Sequence, residues 1–164
     1  LVGTSDDVIP PAHIPDIVFT NINYGDVELW GLDGSIFVFL DRNLSANISF
    51  SYLGKTSFYN FLTRENDPIN APEYKMNATL TYMPDMGINW NIGMRYIPDF
   101  DWSAGVHYGT IQSYTVFDGA LGYNFNPTYG VLLNINNLNN DVHNEIIGGP
   151  KLGRHVTLKL TARF

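Results

Sequence analysis

Residues capable of acid–base or metal chemistry are few in this 164-residue chain. Cysteine is absent, so neither a disulfide nor a thiolate zinc site can form. The histidines follow no zinc-motif spacing; they are His13, His107, His143 and His155. We expect all four to be solvated loop residues, although His107, near Asp99 and Asp101, could contribute to a ligand or metal site.

A second candidate is the segment 134–145, which is rich in asparagine and contains Asp141 and Glu145. Calcium prefers oxygen ligands of this kind, but the segment lacks the spaced acidic loop of an EF-hand. An ordinary polar loop is therefore the favoured interpretation. No Ser-His-Asp order, nucleophile elbow or phosphate-binding loop is present in the sequence. We therefore expect neither an enzyme nor a bound cofactor.

The composition suits neither a typical soluble domain nor a helical membrane protein. Apolar residues make up 45% of the chain and charged residues 15%, whereas soluble domains carry roughly 25% charged residues. The longest apolar runs, such as residues 36–40, are far shorter than the roughly 20 residues of a transmembrane helix. The net charge of −7 argues against a nucleic-acid partner.

Alternating polarity is the strongest pattern in the chain, and its last segment shows it clearly. Leu158 and Leu160 share one parity with other apolar residues, whereas Lys159 and Arg163 share the other with threonines. Successive side chains of a strand point to opposite faces, so the segment predicts a strand with one apolar face. The same reasoning predicts strands over residues 17–23, 24–40, 44–53, 76–82, 88–96, 113–125, 129–135 and 154–164. The parity changes within the second of these, which predicts a bulge near Trp30 and Gly31.

The connections between the predicted strands alternate in length. Short turns are expected at residues 41–43, 84–87 and 126–128, and long polar connections at about 54–72, 98–112 and 138–152. Outer-membrane barrels have short periplasmic turns and long extracellular loops. The pattern therefore predicts an all-β fold, an antiparallel transmembrane β-barrel of about eight strands. Residues 1–16 would be an irregular extracellular loop, residues 17–164 would form the barrel, and the C-terminus would lie on the periplasmic side.

Aromatic residues support the same topology, because girdles of aromatic side chains mark both interfaces of a membrane barrel. On the predicted apolar faces, Tyr52 and Tyr96 lie beside long loops. The aromatic residues beside the short turns are Tyr82, Tyr123, Phe125, Tyr129 and Phe164. A soluble eight-stranded β-sandwich is the alternative, because its strands would alternate in the same way.

Several short motifs follow one another along the chain. Gly31 and Asp33 precede the first tight turn, and Asp118 lies in an Asp-small-Leu-Gly-Tyr strand. Asn137 and Leu138 form an Asn-Leu pair that closes the penultimate strand. A Gly-Pro and Gly-Arg segment then opens the last strand, which ends in Phe164; its motif residues are Gly149, Pro150, Gly153 and Arg154. In their order and spacing these motifs resemble a known family, the TonB-dependent outer-membrane receptors.

The resemblance implies the C-terminal part of a barrel of about 22 strands that encloses a plug. Extracellular loops of such a receptor capture a small nutrient, and the inner-membrane TonB complex supplies energy. The remaining barrel, the plug and membrane lipid would be partners, and Leu158, Leu160 and Phe164 would form the C-terminal assembly signal. A complete eight-stranded outer-membrane barrel with a structural, adhesive or scaffold role is the alternative.

The predicted polar face carries three cations, Arg95, Lys159 and Arg163, which we expect to face the lumen. Charges avoid lipid and pair inside a barrel; the functional alternative is contact with a plug or an anionic substrate. The other residues of this face are mostly short and neutral, which suits a wide hydrated lumen. Phe37 and Phe39 are exceptions that could touch a plug or a neighbouring chain.

Overall fold

Antiparallel β-strands make up most of the chain. The computed structural model describes residues 2–4, 17–19, 27–61 and 63–163. In these ranges the strands are β1 (Val2–Thr4), β2 (Ile17–Phe19), β3 (Gly31–Phe39), β4 (Leu44–Leu53), β5 (Ser57–Asn60), β6 (Glu65–Pro68), β7 (Tyr74–Tyr82), β8 (Gly87–Ile97), β9 (Phe100–Ala104), β10 (His107–Ile111), β11 (Tyr114–Asn124), β12 (Tyr129–Asn136) and β13 (His155–Ala162). The all-β antiparallel prediction is confirmed.

Seven strands form one sheet, which we call the wall, in the order β13-β12-β11-β8-β7-β4-β3. All neighbours in the wall are antiparallel. Short turns join β3 to β4, β7 to β8 and β11 to β12, so these turns share one end of the wall, the short-turn end. The three long connections share the opposite, long-loop end. The predicted alternation of short and long connections is therefore confirmed.

The turn between β11 and β12 shows why these connections are short. The side-chain Oδ1 of Asn126 accepts hydrogen bonds from the backbone N–H of Thr128 at 2.9 Å and of Tyr129 at 2.8 Å. The backbone N–H of Phe125 donates to the carbonyl of Tyr129 at 3.0 Å. Asparagine favours turns because its side chain can satisfy nearby backbone groups in this way.

The long connections have internal structure. The first contains the hairpin of β5 and β6, and the second contains the hairpin of β9 and β10. The third is pinned by a single antiparallel bridge between His143 and Leu152. A polar composition had predicted only connections here, because short hairpins with mixed polarity lack a clear alternation.

The wall is an open sheet. Its edges are β3 and β13, and within the described residues these two strands pair only with β4 and β12. A complete small barrel would join its first and last strands, because a spanning sheet must close in lipid. An open sheet of this kind is expected for part of a larger barrel.

The N-terminal region differs from its prediction. Instead of one bulged strand over residues 24–40, β3 begins at Gly31 and pairs residue for residue with β4, so the predicted bulge is wrong. Trp30 lies outside the strand. Its indole lies where a Cβ on Gly54 would be, and its carbonyl accepts the Gly54 N–H at 2.9 Å. Val2–Thr4 is a strand paired with Ile17–Phe19, not irregular loop, and this pair stands apart from the wall.

Buried apolar residues are few. In the described ranges the buried hydrophobic cluster is Ile111, Tyr114 and Val116, against which Phe100 and Ile147 pack. The same ranges contain no helix with the length and apolarity needed to cross a membrane. The core therefore lies at the long-loop end, where the second and third connections meet β11.

Candidate functional site: a two-faced wall and its loop junction

One face of the wall is apolar on every strand. The register aligns Ile36, Ile48 and Ala78 across three strands, and Leu133 faces Leu158 at the other edge. None of the wall residues on this face is charged. Many of them are exposed: Ile36 has 68% and Leu160 has 75% of its surface accessible. A contiguous exposed apolar surface of this extent marks an interaction site, and its band of uncharged side chains suits lipid.

Aromatic residues border this apolar face at both ends. Near the short turns, Tyr82 stacks on Trp90 with ring centroids 6.0 Å apart, and Tyr123 contacts Phe125 at 4.9 Å. Near the long loops, Tyr74 contacts Tyr96 at 6.0 Å. Tyr74 and Tyr82 are the two ends of β7, so the two aromatic rows are separated by roughly 27 Å along the strand. Because barrel strands tilt by about 35–45°, this length corresponds to a height of roughly 19–22 Å, close to the apolar band of about 25 Å in outer-membrane barrels.

The opposite face is polar and hydrogen-bonded across neighbouring strands. Asn91 donates to Thr81 at 2.7 Å, and Asn47 donates to Ser35 at 3.3 Å. These short neutral side chains lie where the alternation predicted them. Phe37 and Phe39 interrupt this face on β3, with their rings edge to face and centroids 4.9 Å apart.

The loop junction, residues 137–141 with the side chains of Arg95, Asp118 and Arg154, links the third long connection to the wall. Asp118 on β11 accepts a hydrogen bond from the Nε of Arg95 at 3.2 Å through Oδ2. Its other carboxylate oxygen accepts the backbone N–H of Asn137 at 2.9 Å. One carboxylate therefore holds both β8 and the start of the loop.

Arg154 completes the junction from the far end of the loop. Its guanidinium donates to the carbonyl of Leu138 at 2.6 Å, and its backbone N–H donates to the side chain of Asn140 at 3.0 Å. Asn137 and Asn140 have positive φ angles of 59° and 51°, a conformation that asparagine tolerates better than most residues. The structure thus brings together five sequence-predicted positions: Arg95, Asp118, Asn137, Leu138 and Arg154.

Asn139 was not singled out as a site residue, and Asp141 was named only within the candidate calcium-binding segment, yet both belong to the junction. The amide of Asn139 donates to the Thr115 carbonyl at 2.7 Å, and its oxygen accepts the Phe117 N–H at 3.1 Å. Asp141 accepts the Thr115 N–H at 3.1 Å. Residues 137–141 run beside the part of β11 nearest the long-loop end. They take the place of β12 there, because β12 has already ended. The dense run of asparagines was the sequence feature that could have indicated these residues.

The long connections also brace one another. Asn70 in the first connection donates to the Ser103 carbonyl at 2.8 Å and accepts its N–H at 2.7 Å. Ile147 of the third connection packs against Gly109 of β10. A cleft of about 370 Å³ opens between the first two connections, lined in part by Glu73, Asp99 and Tyr108. No pattern in the sequence predicted these contacts.

The three histidines that the structure describes do not assemble a metal site. Among the described residues no group of three or more histidine or acidic side chains is placed to hold an ion. The ring of His107 lies against Gly148 rather than with Asp99 and Asp101. The expectation of a solvated His143 is wrong, because its ring stacks on Tyr114 with centroids 3.9 Å apart and its side chain is 8% accessible. His13 lies outside the described residues.

The other predicted positions are spread over the wall and loops. Gly31 faces Leu53 where a Cβ would lie 2.7 Å from the Tyr52 carbonyl oxygen, which explains the glycine. Asp33 lies on the polar face opposite Ser51. Gly149, Pro150 and Gly153 lie in the third connection, Leu158 and Leu160 on the apolar face, and Lys159 and Arg163 on the polar side at the short-turn end. Phe164 lies outside the described residues.

Comparison with known proteins separates the chain up to residue 138 from the part that follows. The family model described as TonB dependent receptor-like, beta-barrel matches residues 2–138. The chain belongs to this family. Its members are receptors and transporters rather than enzymes. The match ends at Leu138, within the loop junction, so the motif positions beyond it stay predictions from the sequence.

Solved structures show the same receptor fold. A mutant of the ferric enterobactin receptor PfeA from Pseudomonas aeruginosa aligns at 16% identity and a TM-score of 0.62, over 82% of this chain and 22% of that one. The siderophore receptor PiuA from Acinetobacter baumannii aligns at 16% identity and a TM-score of 0.61, over 82% and 21%. The chain therefore spans about a fifth of the length of these receptors. No curated protein sequence matches it.

Proposed function

We propose that this chain supplies wall strands and ligand-facing loops of an outer-membrane receptor that takes up a scarce nutrient with energy from the TonB complex. One observation carries the proposal: an exposed, uncharged apolar face, bordered by two aromatic rows, runs across all seven wall strands. Such a face suits lipid, and the polar face behind it suits a hydrated lumen.

The orientation follows from the connections. The short-turn end is proposed to face the periplasm, together with the C-terminus, and the long-loop end to face the cell exterior. Residues 1–16 would then belong to an extracellular loop. Leu158, Leu160 and Phe164 would be the C-terminal signal that the assembly machinery reads, as the resemblance implies.

The long connections are proposed to capture the ligand. Asn70 and Ser103 brace two of them, so the cleft between these connections is held in shape before a ligand arrives. Preorganisation of this kind reduces the entropic cost of binding. The remaining barrel and its plug would complete the receptor, since the solved relatives are far longer than this chain.

The proposal is tested by growth of the native host in media that are each limiting for one nutrient. Deletion of the gene and deletion of the energy-coupling TonB component should produce the same growth defect in one of these media. Restoration by the intact receptor, but not by one carrying the Ile48→Arg substitution on the apolar face, ties the defect to the barrel. If the strain without the receptor gene grew normally in every medium in which the TonB deletion strain grows poorly, the proposal would be wrong.

A further inference from the structure

Two tyrosines meet at the long-loop end of the wall, where β7 and β8 separate. The ladder between these strands ends there at Met76 and Tyr96. In the same register the residue opposite Tyr74 would be Pro98, which has no backbone N–H to continue the ladder. Tyr74 instead contacts Tyr96 diagonally across the gap, with ring centroids 6.0 Å apart. We call Tyr74 and Tyr96 the tyrosine fork.

The hydroxyl groups of the tyrosine fork are also close together. They lie within hydrogen-bonding reach of each other, and the two ring planes are tilted by 37°. The ortho carbons of a phenol flank the carbon that bears the hydroxyl, so neighbouring hydroxyls bring ortho carbons of the two rings near each other. Both side chains are half-buried, which leaves part of each ring open to a small reagent.

This contact is particular to one pair of tyrosines. Among the ring contacts of the described residues, it alone joins two tyrosines, whereas the other tyrosine rings in contact face tryptophan, phenylalanine or histidine. Tyr52 lies directly opposite Tyr74 in the register of β4 and β7, but its ring contacts Trp30 instead. Register alone would select Tyr52 as the neighbour of Tyr74, and side-chain packing selects Tyr96.

We propose that the tyrosine fork is a site of oxidative modification, at which a one-electron oxidant joins Tyr74 and Tyr96 as dityrosine. Each phenol gives one electron to the oxidant and its hydroxyl proton to water. The two phenoxyl radicals then form a carbon–carbon bond between ortho positions. The ortho hydrogens move to the oxygens, which restores both aromatic rings. The product is therefore two hydrogen atoms lighter than the separate residues.

The new bond closes the fork at the roots of two long connections. Glu73, at the end of the first connection, immediately precedes Tyr74, and Asp99, near the start of the second, follows Pro98. Both acidic residues line the cleft between these connections. The ends of strands open more readily than their middles, and a covalent link prevents β7 and β8 from opening here. Oxidation thus fixes one side of the cleft.

The test treats the intact receptor in native outer membranes with ruthenium tris(bipyridyl), light and persulfate, which remove single electrons from phenols. After proteolysis, mass spectrometry should find one linked peptide pair that contains Tyr74 and Tyr96 and lacks two hydrogen atoms. This product should be lost in Tyr74→Phe and in Tyr96→Phe, and kept in the matched control Tyr52→Phe. Phenylalanine keeps the aromatic ring at each position and removes only the phenol hydroxyl.

Three results would overturn the inference: a link between Tyr52 and Tyr74, a link found only between two copies of the receptor, or no link while other tyrosines are oxidised. Hydrogen exchange then measures the effect on the fork. Oxidation of the parent should slow amide exchange at residues 73–76 and 96–97, whereas the same treatment of Tyr74→Phe should not. Unchanged exchange in a cross-linked parent would refute the closing of the fork.

Discussion

Arg95 and Asp118 lie on adjacent strands of the wall, β8 and β11, with the guanidinium Nε 3.2 Å from a carboxylate oxygen. Asp118 also accepts the backbone N–H of Asn137 through its other oxygen. The ion pair therefore does more than neutralise a charge on the polar face of the wall. It places the carboxylate where it can hold the start of the third connection.

Asp118→Ala should destabilise the protein more than Arg95→Gln. Partly exposed ion pairs contribute about 0.2–1 kcal/mol, and Arg95 is 46% accessible. Asp118→Ala also removes the acceptor for the Asn137 N–H, which adds about 0.5–1.5 kcal/mol. Urea unfolding of the receptor in lipid vesicles measures both free energies of unfolding. Equal losses would mean that the bond to Asn137 contributes nothing.

Ile48→Arg should cost about 2–4 kcal/mol, the penalty for a charge at the lipid midplane of a barrel. Ile48 lies midway between the two ends of β4 on the apolar face, with 58% of its surface accessible. Asn47→Arg, one residue earlier on the polar face, is the control and should cost far less. Unfolding in vesicles measures both variants, and similar penalties would contradict the assigned faces.

Asn70→Ala should loosen the two braced connections. The change removes both bonds to Ser103 and places alanine at a φ of 62°, where a left-handed conformation costs about 1–2 kcal/mol. Asn70→Gly removes the same bonds without the strain. Proteolysis of the exposed loops should be fastest in Asn70→Ala, intermediate in Asn70→Gly and slowest in the parent. If both variants matched the parent, the brace would have no energetic role.

Gly119→Ala should disturb the loop junction, because a Cβ at this position would lie 2.8 Å from the Cδ1 of Leu138. The expected loss of stability is about 1 kcal/mol, the low end for overpacking, because the obstructing atom is the tip of the Leu138 side chain, which is 40% exposed and can move aside. Leu138→Ala removes the obstructing methyl groups, so the double variant should lose less than the sum of the single ones. Strict additivity of the unfolding free energies would show that Leu138 does not cause the clash.

Individual strands show how much of the fold the sequence predicts. The alternation over residues 44–53 predicted β4 to the residue, because both faces of that strand have uniform polarity. The run before Gly31 was misjudged, because its apolar residues mimic a strand while the indole of Trp30 packs on Gly54. The hairpin of β9 and β10 was missed because its strands are only five residues long. Phe100, Trp102 and Ala104 do alternate with Asp101 and Ser103, but the polar composition of the whole connection outweighed this short pattern.

The candidate site divides in the same way. The sequence placed Asp118, the Asn137-Leu138 pair and Arg154 in three separate motifs, and their meeting in one junction required the register of β11 against β12. The burial of His143 beneath Tyr114 also depends on how the third connection folds back.

By itself, the sequence determined the two-faced character of the wall, the sites of the short turns and the antiparallel order. These properties are local, because the strand period of two and the preferences of turn residues act over a few neighbours. Only the tertiary structure decided the open edges of the wall, the bracing of the long connections and the meeting of Asp118 with Asn137 in the loop junction. Each depends on contacts between residues far apart in the chain, whose geometry is set by strand register and loop packing rather than by any local pattern.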